Sequence, residues 1–250
     1  MERRLFFLGD IHGNFNIIKQ YIKTYDIENA DIIQVGDFGL GFKTFEKDKN
    51  NLTLLNDFIK KHNISLYAIR GNHDHKLYFD EDPFGLSNIK LLKDYSVLNL
   101  NNHNILCVGG AVSIDRVYRI INDKKANDGI KSWWPDESFS FDKSKTDKLS
   151  NIDVIVTHTT PEYCPPDNSN GFGHLVNSMA VNDEYLKTDL LTERKLVSDL
   201  FENLSNNNIK YHYYGHFHNS RVLERNGIIH RMLDINELWE DKNDYDFYGK

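Results

Sequence analysis

Five times in this chain a short strand-like run stops and an acidic, amide or imidazole side chain follows almost at once. Leu5–Leu8 ends in Gly9-Asp10, Asp31–Val35 in Gly36-Asp37, and Ser65–Ile69 in Arg70-Gly71-Asn72-His73. Val154–Thr157 runs straight into His158, and Tyr211–Tyr214 into Gly215-His216-Phe217-His218. Short apolar runs bounded by turn formers read as buried strands. Between the first three runs, apolar residues recur at helical spacing: Ile17, Ile18, Tyr21, Ile22 and Tyr25, then Leu54, Leu55, Phe58 and Ile59. Strands alternating with helices predict a mostly parallel sheet with crossover connections. In such sheets ligands gather beyond the carboxyl ends of the strands, so residues distant in sequence converge on one rim.

The middle of the chain has a different texture. Ile89–Leu92, Ser96–Leu100 and Asn104–Gly109 are short strand candidates separated by Asn-rich turns, which predicts an antiparallel section. Residues 110–150 form an excursion with little regular pattern, and 159–189 form a second one containing Pro165-Pro166 and the Gly171–Gly173 turn. Long loops in a packed domain tend to be functional, so both excursions are expected to wall a substrate pocket, with Tyr163 and His174 on one side. Leu196, Val197, Leu200, Phe201 and Leu204 predict an amphipathic helix. Strands at Tyr211–Tyr214, Ser220–Leu223 and Ile228–Leu233 follow, the last two joined by an Arg225-Asn226-Gly227 turn. From Glu237 the acidic end reads as a loosely held tail. With 250 residues, 40% of them hydrophobic, the whole of 1–250 is expected to form one packed domain.

The formal charge of −7 argues against a surface that grips long duplex nucleic acid. Leu5–Leu8 is too short for a secretory apolar region or a membrane span, so a cytoplasmic protein with no membrane partner is expected. Cys107 and Cys164 lie far apart without CxxC spacing, which argues against a disulfide-built fold.

Taken singly, each polar block reads equally well as a turn or a solvated edge. Taken together, Asp10-Ile11-His12, Gly36-Asp37, Gly71-Asn72-His73-Asp74, His158 and Gly215-His216-Phe217-His218 resemble the five motif blocks of the calcineurin-like metallophosphoesterase superfamily. Within it, the chain is similar to the small stand-alone bacterial and phage type. The resemblance implies an α/β fold of two facing mixed β-sheets flanked by helices, a four-layer α/β/β/α sandwich. It also implies an enzyme: a metal-dependent phosphoesterase hydrolysing small phosphodiesters or phosphomonoesters, nucleotide-type substrates included, by water activated between two divalent metal ions. Residue by residue, one ion would take Asp10, His12 and His218, the other Asn72, His158 and His216, and Asp37 would bridge them. Imidazole and oxygen ligands without thiolate suit Mn²⁺, which is favoured here, or Fe, Zn, Co or Ni. Four cationic charges against two carboxylates leave the pocket attractive to phosphate despite the acidic chain. The resemblance further makes His73 the general acid, with Asp74 orienting its imidazole.

In one respect the chain departs from the protein Ser/Thr phosphatases of this superfamily. Leu40 and Gly41 stand where those enzymes carry an Asp-Arg pair after the second block, so a phosphate-clamping arginine is missing there. Arg70, Arg116 and Arg119 are the candidates to replace it. Trp133 and Trp134, in Ser132-Trp133-Trp134-Pro135-Asp136-Glu137, either cap the pocket and stack on a base or fill the core beneath the loop. That stretch and Gly109–Arg116 are both similar to patterns in the stand-alone enzymes. The alternatives are a nuclease on single-stranded or terminal nucleic acid, a protein Ser/Thr phosphatase, and a metal-free scaffold of the same fold. The oligomeric state is not legible in the sequence.

Overall fold

Successive side chains of strand β1 (Arg4–Leu8) leave on opposite faces, and both faces are apolar. Phe6 and Leu8 enter one core cluster, while Leu5 and Phe7 enter another. A strand buried on both faces must be covered twice, which commits the chain to stacked layers. The computed structural model, which describes residues 3–166 and 171–241, builds those layers as two sheets.

In the first sheet β1, β2 (Ala30–Gln34), β3 (Ile64–Ala68) and β4 (Ile89–Leu91) run parallel. Helices α1 (Phe15–Thr24), α2 (Phe45–Lys61) and α3 (Lys76–Glu81) lie in the connections. The second sheet comprises β5 (Ser96–Leu100), β6 (His103–Val108), β7 (Val154–Thr157), β8 (Tyr211–Tyr214), β9 (Arg221–Arg225) and β10 (Ile228–Met232), in the spatial order β5-β6-β7-β8-β10-β9. Its four central strands are parallel, and β5 and β9 are antiparallel edges. Ile18, Ile22, Leu52 and Leu55 of α1 and α2 close the outer face of the first sheet. Between the sheets Leu5, Phe7, Ile33 and Val35 meet Ile105, Val154, Val156 and Tyr213, with Phe7 stacked on Tyr213 at 3.6 Å. Val197, Leu200 and Phe201 of α7 (Leu186–Asn203) cover Leu106, Val108 and Ile155 on the far side. The result is the expected four-layer α/β/β/α sandwich.

Register sets the site. Leu8 pairs with Gln34 and Gln34 with Ala68, so the loops after β1, β2 and β3 start level with one another. In the second sheet β7 and β8 run parallel, Val156 opposite Tyr213, and also deliver their loops side by side.

Three expectations need correction. The stretch after Glu237 is not a loose tail over its described part. Leu238–Asp241 forms β11, antiparallel to β1, because Leu238 and Trp239 pack on the core and Glu240 pairs with Arg4 at 2.6 Å. Residues 242–250 lie outside the described residues. The excursion 110–150 contains helices α4 (Arg116–Ala126) and α5 (Lys143–Thr146). The excursion 159–189 contains α6 (Phe172–Met179) and the start of α7. Residues 167–170 within it lie outside the described residues. Among the described residues no helix is long and apolar enough to cross a membrane. Cys107 and Cys164 are buried free thiols.

His103 fastens β11 to the second sheet, with Nδ1 2.8 Å from Asp153 and Nε2 3.2 Å from Asp241. Hydrogen bonding to Asp241 outweighs burial and raises the imidazole from an ordinary 6.5 to about 8. A raised imidazole stabilises the fold fully below its unfolded value, and that contribution is lost as pH rises through the folded one. Denaturant unfolding of the wild type should therefore lose stability between about pH 6.5 and 8 relative to His103→Gln; parallel pH profiles would contradict this.

Candidate metal centre

The polar blocks adopt backbone conformations that ordinary strands and helices avoid. His12, Asp37, His216 and His218 all have positive φ, at 45°, 57°, 71° and 50°. Left-handed backbone is unfavourable for residues with a Cβ and concentrates where the surrounding structure forces it. Here it turns each side chain off its strand axis toward a common centre. The glycines before the blocks have a matching reason. A Cβ on Gly71 would lie 2.1 Å from the Asp37 carboxylate, and one on Gly215 would lie 2.1 Å from the Asp10 carboxylate. Glycine is required where backbone passes this close to a side chain.

Two groups of side chains result. In one, ligand atoms of Asp10, His12, Asp37 and His218 lie within 4.8 Å of one another; in the other, those of Asp37, His158 and His216 do. Asp37 belongs to both. Its Oδ1 lies 3.1 Å from His158 Nε2 and its Oδ2 lies 3.8 Å from His12 Nδ1. Asp10 lies 3.3 Å from His218 Nε2, which is itself 3.2 Å from His12 Nε2. Asn72 lies beside the second group, its Oδ1 3.3 Å from His158 Nε2.

The chemistry of these atoms fits cations. His158 Nδ1 donates to the Val35 carbonyl at 2.8 Å, which fixes the tautomer and turns the Nε2 lone pair inward. His216 Nε2 is buried with no hydrogen-bond partner, and burial with its neighbour His158 holds this imidazole well below its ordinary range, hence neutral. Burial works to raise Asp37, but the imidazoles of His158, His73 and His12 overcome it and keep the carboxyl ionised. Burial likewise works to lower His158, and the charges of Asp37 and Asp10 override it, raising the ring to about 9. A proton there stands where a cation would supply the same compensation.

A family profile described as calcineurin-like phosphoesterase matches residues 3–220. The chain belongs to the calcineurin-like phosphoesterase family. It is therefore a metal-dependent phosphoester hydrolase, of a family that uses a dinuclear metal centre. No curated protein matches the sequence. Its fold is similar to that of a dimetal phosphatase from Danio rerio, 11% identical with a TM-score of 0.56, covering 93% of this chain and 87% of that one. It is also similar to phosphopantetheinyl hydrolase from Mycobacterium tuberculosis, 12% identical with a TM-score of 0.53, covering 98% of each chain. At such identities the likeness shows the fold.

The phosphoesterase centre floors a cavity of about 520 Å³. His12, Asp37, Asn72, His73, His216 and His218 line its base, and Asp115 and Arg119 line one side. Ile114, Phe172, Leu175, Met179 and Phe217 make an apolar wall. A second cavity of about 360 Å³ lies behind Phe172 and Phe217 and includes none of the cage residues. Of the first cavity's apolar wall, Ile114 lies in the excursion 110–150, and Phe172, Leu175 and Met179 lie in the excursion 159–189, on helix α6, which the sequence reading does not anticipate.

The roles expected of nearby residues divide. His73 faces the cavity, held against Phe42 and with Nε2 accepting an N–H from Arg119. Burial lowers its imidazole to about 4, the charge of Asp37 opposing and that of Arg119 adding to the effect. Asp74 does not orient that ring, contrary to expectation. Its buried carboxylate accepts backbone N–H bonds from Phe38, Gly39, Leu40 and Gly71 at 2.8–3.0 Å, tying the loop after β2 to the loop after β3. Of the three arginines, only Arg119 lines the cavity. Arg70 is 1% exposed, its guanidinium spent on Asp94 and the carbonyls of Asp136, Glu137 and Ser138, so it has no donor left for substrate. Arg116 is committed to Asp183 and Asp189. Trp134 fills the core against Phe42 and His75, and Trp133 is half-buried beside Glu137. Neither tryptophan lines the cavity. Tyr163 packs instead against Phe201 and His230, and His174 is exposed.

Replacing Asp74 should thus act on folding rather than on proton transfer. Four buried N–H groups would lose their acceptor at roughly 1–3 kcal/mol each, so Asp74→Ala should cost more than about 3 kcal/mol in denaturant unfolding. A cost under about 1 kcal/mol, with turnover alone impaired, would return Asp74 to the role of orienting His73.

Proposed function

We propose that this enzyme hydrolyses small phosphate monoesters or diesters whose leaving group carries an apolar or planar face, nucleotide-type esters among them. The observation that carries the reading is Asp37, shared between two groups of ligand atoms at the base of one cavity. Asp10, His12 and His218 would hold one divalent cation and Asn72, His158 and His216 the other, with Asp37 common to both. When bound, such ions supply Lewis acidity and lower the pKa of water toward neutrality.

The chain's own residues account for the remaining needs. His73 Nε2 points into the cavity and is positioned to give a proton to the departing oxygen. In the structure Arg119 donates to that same nitrogen. A phosphate entering between them would take the Arg119 hydrogen bond, because guanidinium prefers an anionic oxygen. Its negative charge would raise the His73 imidazole, so that Nε2 takes up from water the proton it then gives to the departing oxygen. Asp115 holds Arg119 Nε at 2.7 Å, and the Ser132 carbonyl lies 3.3 Å from another of its nitrogens, so the cation is presented in place. Among the described residues Arg119 is the only lysine or arginine lining the cavity. One cation suits a single phosphoryl group better than a polyanionic strand, which disfavours the nuclease reading. The apolar wall of Ile114, Phe172, Leu175 and Met179 would receive the leaving group.

Elemental analysis of protein purified without chelator, then reloaded with Mn²⁺, should find two ions per chain. Turnover of an aryl monoester, an aryl diester and a nucleotide should disappear with chelation. His73→Ala should reduce kcat by a factor of about 100 to 10,000 while both ions remain bound. A phosphopeptide or single-stranded oligonucleotide turned over far faster than every small ester would contradict the substrate class. Failure to hold any cation would favour the scaffold reading.

A further inference from the structure

Two motif stretches left unexplained by the metal ligands, Gly109–Arg116 and Ser132–Glu137, meet in one buried hydrogen-bonded chain. Ser113 and Glu137 are 0% and 2% exposed. Glu137 Oε1 accepts the Ser113 backbone N–H at 2.7 Å, and Oε2 accepts the Ser113 hydroxyl at 2.8 Å. With its proton directed at Glu137, Ser113 Oγ is left as an acceptor. Asn72 Nδ2 donates to it at 3.0 Å. The two ends of an amide are alike in shape and opposite in chemistry: the oxygen has lone pairs for a cation, the NH₂ group has only hydrogens. Holding Nδ2 against Ser113 turns Oδ1 toward His158 Nε2, 3.3 Å away, at the centre of the second ligand group.

The far end of this chain is also fixed. Arg70 donates to the Glu137 carbonyl at 2.5 Å and to the Ser138 carbonyl at 3.1 Å, and Ala111 N–H donates to the Glu137 carbonyl at 3.1 Å. Arg70 immediately precedes Gly71-Asn72, so the backbone that carries the ligand also anchors the residue that orients it. Burial raises the Glu137 carboxyl to about 8, against the opposing pull of the two Ser113 bonds and the Arg119 charge.

We propose that Ser113 and Glu137 are positioning residues that select the amide orientation of Asn72 and so set the cation affinity of the site formed by Asn72, His158 and His216. The proposal rests on the metal-centre reading above. Partners of this kind, once removed, typically cost 10–100-fold in metal affinity.

The test is Mn²⁺ binding to the full-length protein by equilibrium dialysis, with thermal melting to confirm folding. Wild type should bind two ions. Ser113→Ala should weaken one by about 10- to 100-fold and leave the other unchanged, while Ser113→Thr, which keeps the hydroxyl, should preserve both. Glu137→Gln, nearly identical in shape, would offer an N–H to Ser113 Oγ, turn the hydroxyl toward Asn72 and produce the same loss. In an Asn72→Asp background both terminal atoms are oxygens, so adding Ser113→Ala should change affinity by less than about twofold. Folded Ser113→Ala or Glu137→Gln titrating like wild type would overturn the proposal. So would an undiminished Ser113→Ala loss in the Asn72→Asp background. A wild type that binds no Mn²⁺ would instead overturn the metal-centre reading.

Discussion

The contact between Asp37 and His158, 3.1 Å from Oδ1 to Nε2, joins the carboxyl ends of two separate sheets. Asp37 follows β2 of the first sheet and His158 follows β7 of the second, so the sandwich must close with its strand ends level for them to meet. The apolar layer between the sheets supplies the closing force, and the alternation of Leu5 and Phe7 against Phe6 and Leu8 is its simplest expression. Within that frame the cage gathers carboxylates and imidazoles that would otherwise be costly to bury. Asp10, Asp37 and His158 are each exposed by 1% or less. Buried charges of this density require compensation, and a cation pair is the compensation their geometry fits.

Holding the cage open and ready requires rigid loops. Asp74 ties the β2 and β3 loops through four backbone bonds, and Arg70 clamps the 136–138 backbone behind Asn72. Both were expected to act on substrate or on the proton donor, and both act on the scaffold instead. Preorganisation of this kind places ligands before any ion arrives, and it explains why charged residues near a catalytic cavity need not touch what the cavity binds. The positive φ of four cage residues is part of the same construction, since strain survives only where neighbours enforce it.

Much of this was legible in the sequence because strand ends carry their own punctuation. Gly36-Asp37 and Gly71-Asn72 mark both a turn and a candidate ligand, and the structure brings the Asp10, His12, Asp37, His158, His216 and His218 side chains into two groups that share Asp37. What escaped reading were elements whose signal is tertiary. Strand β11 hides in an acidic segment because its burial comes from Leu238 and Trp239 alone. Helix α6 carries Phe172, Leu175, Val176 and Met179 at helical spacing, but it is short and follows Pro165-Pro166 and the Gly171–Gly173 turn formers, which dominate the local pattern. The partners of an arginine cannot be counted from its neighbours in sequence: Arg70 meets Asp94 and Glu137, and Arg116 meets Asp183, across long separations. Only Arg119, whose anchor Asp115 sits one helical turn away, had a partner within reach of local reasoning.

Because Asp37 lies in both ligand groups, the two cations should be neither independent nor distant. Electron paramagnetic resonance of the protein loaded with two equivalents of Mn²⁺ tests this directly. A shared carboxylate predicts an exchange-coupled dimanganese signal, converted to the spectrum of isolated ions when Asp37 is replaced by alanine. A wild-type spectrum of isolated Mn²⁺ at full loading would contradict a centre bridged by Asp37.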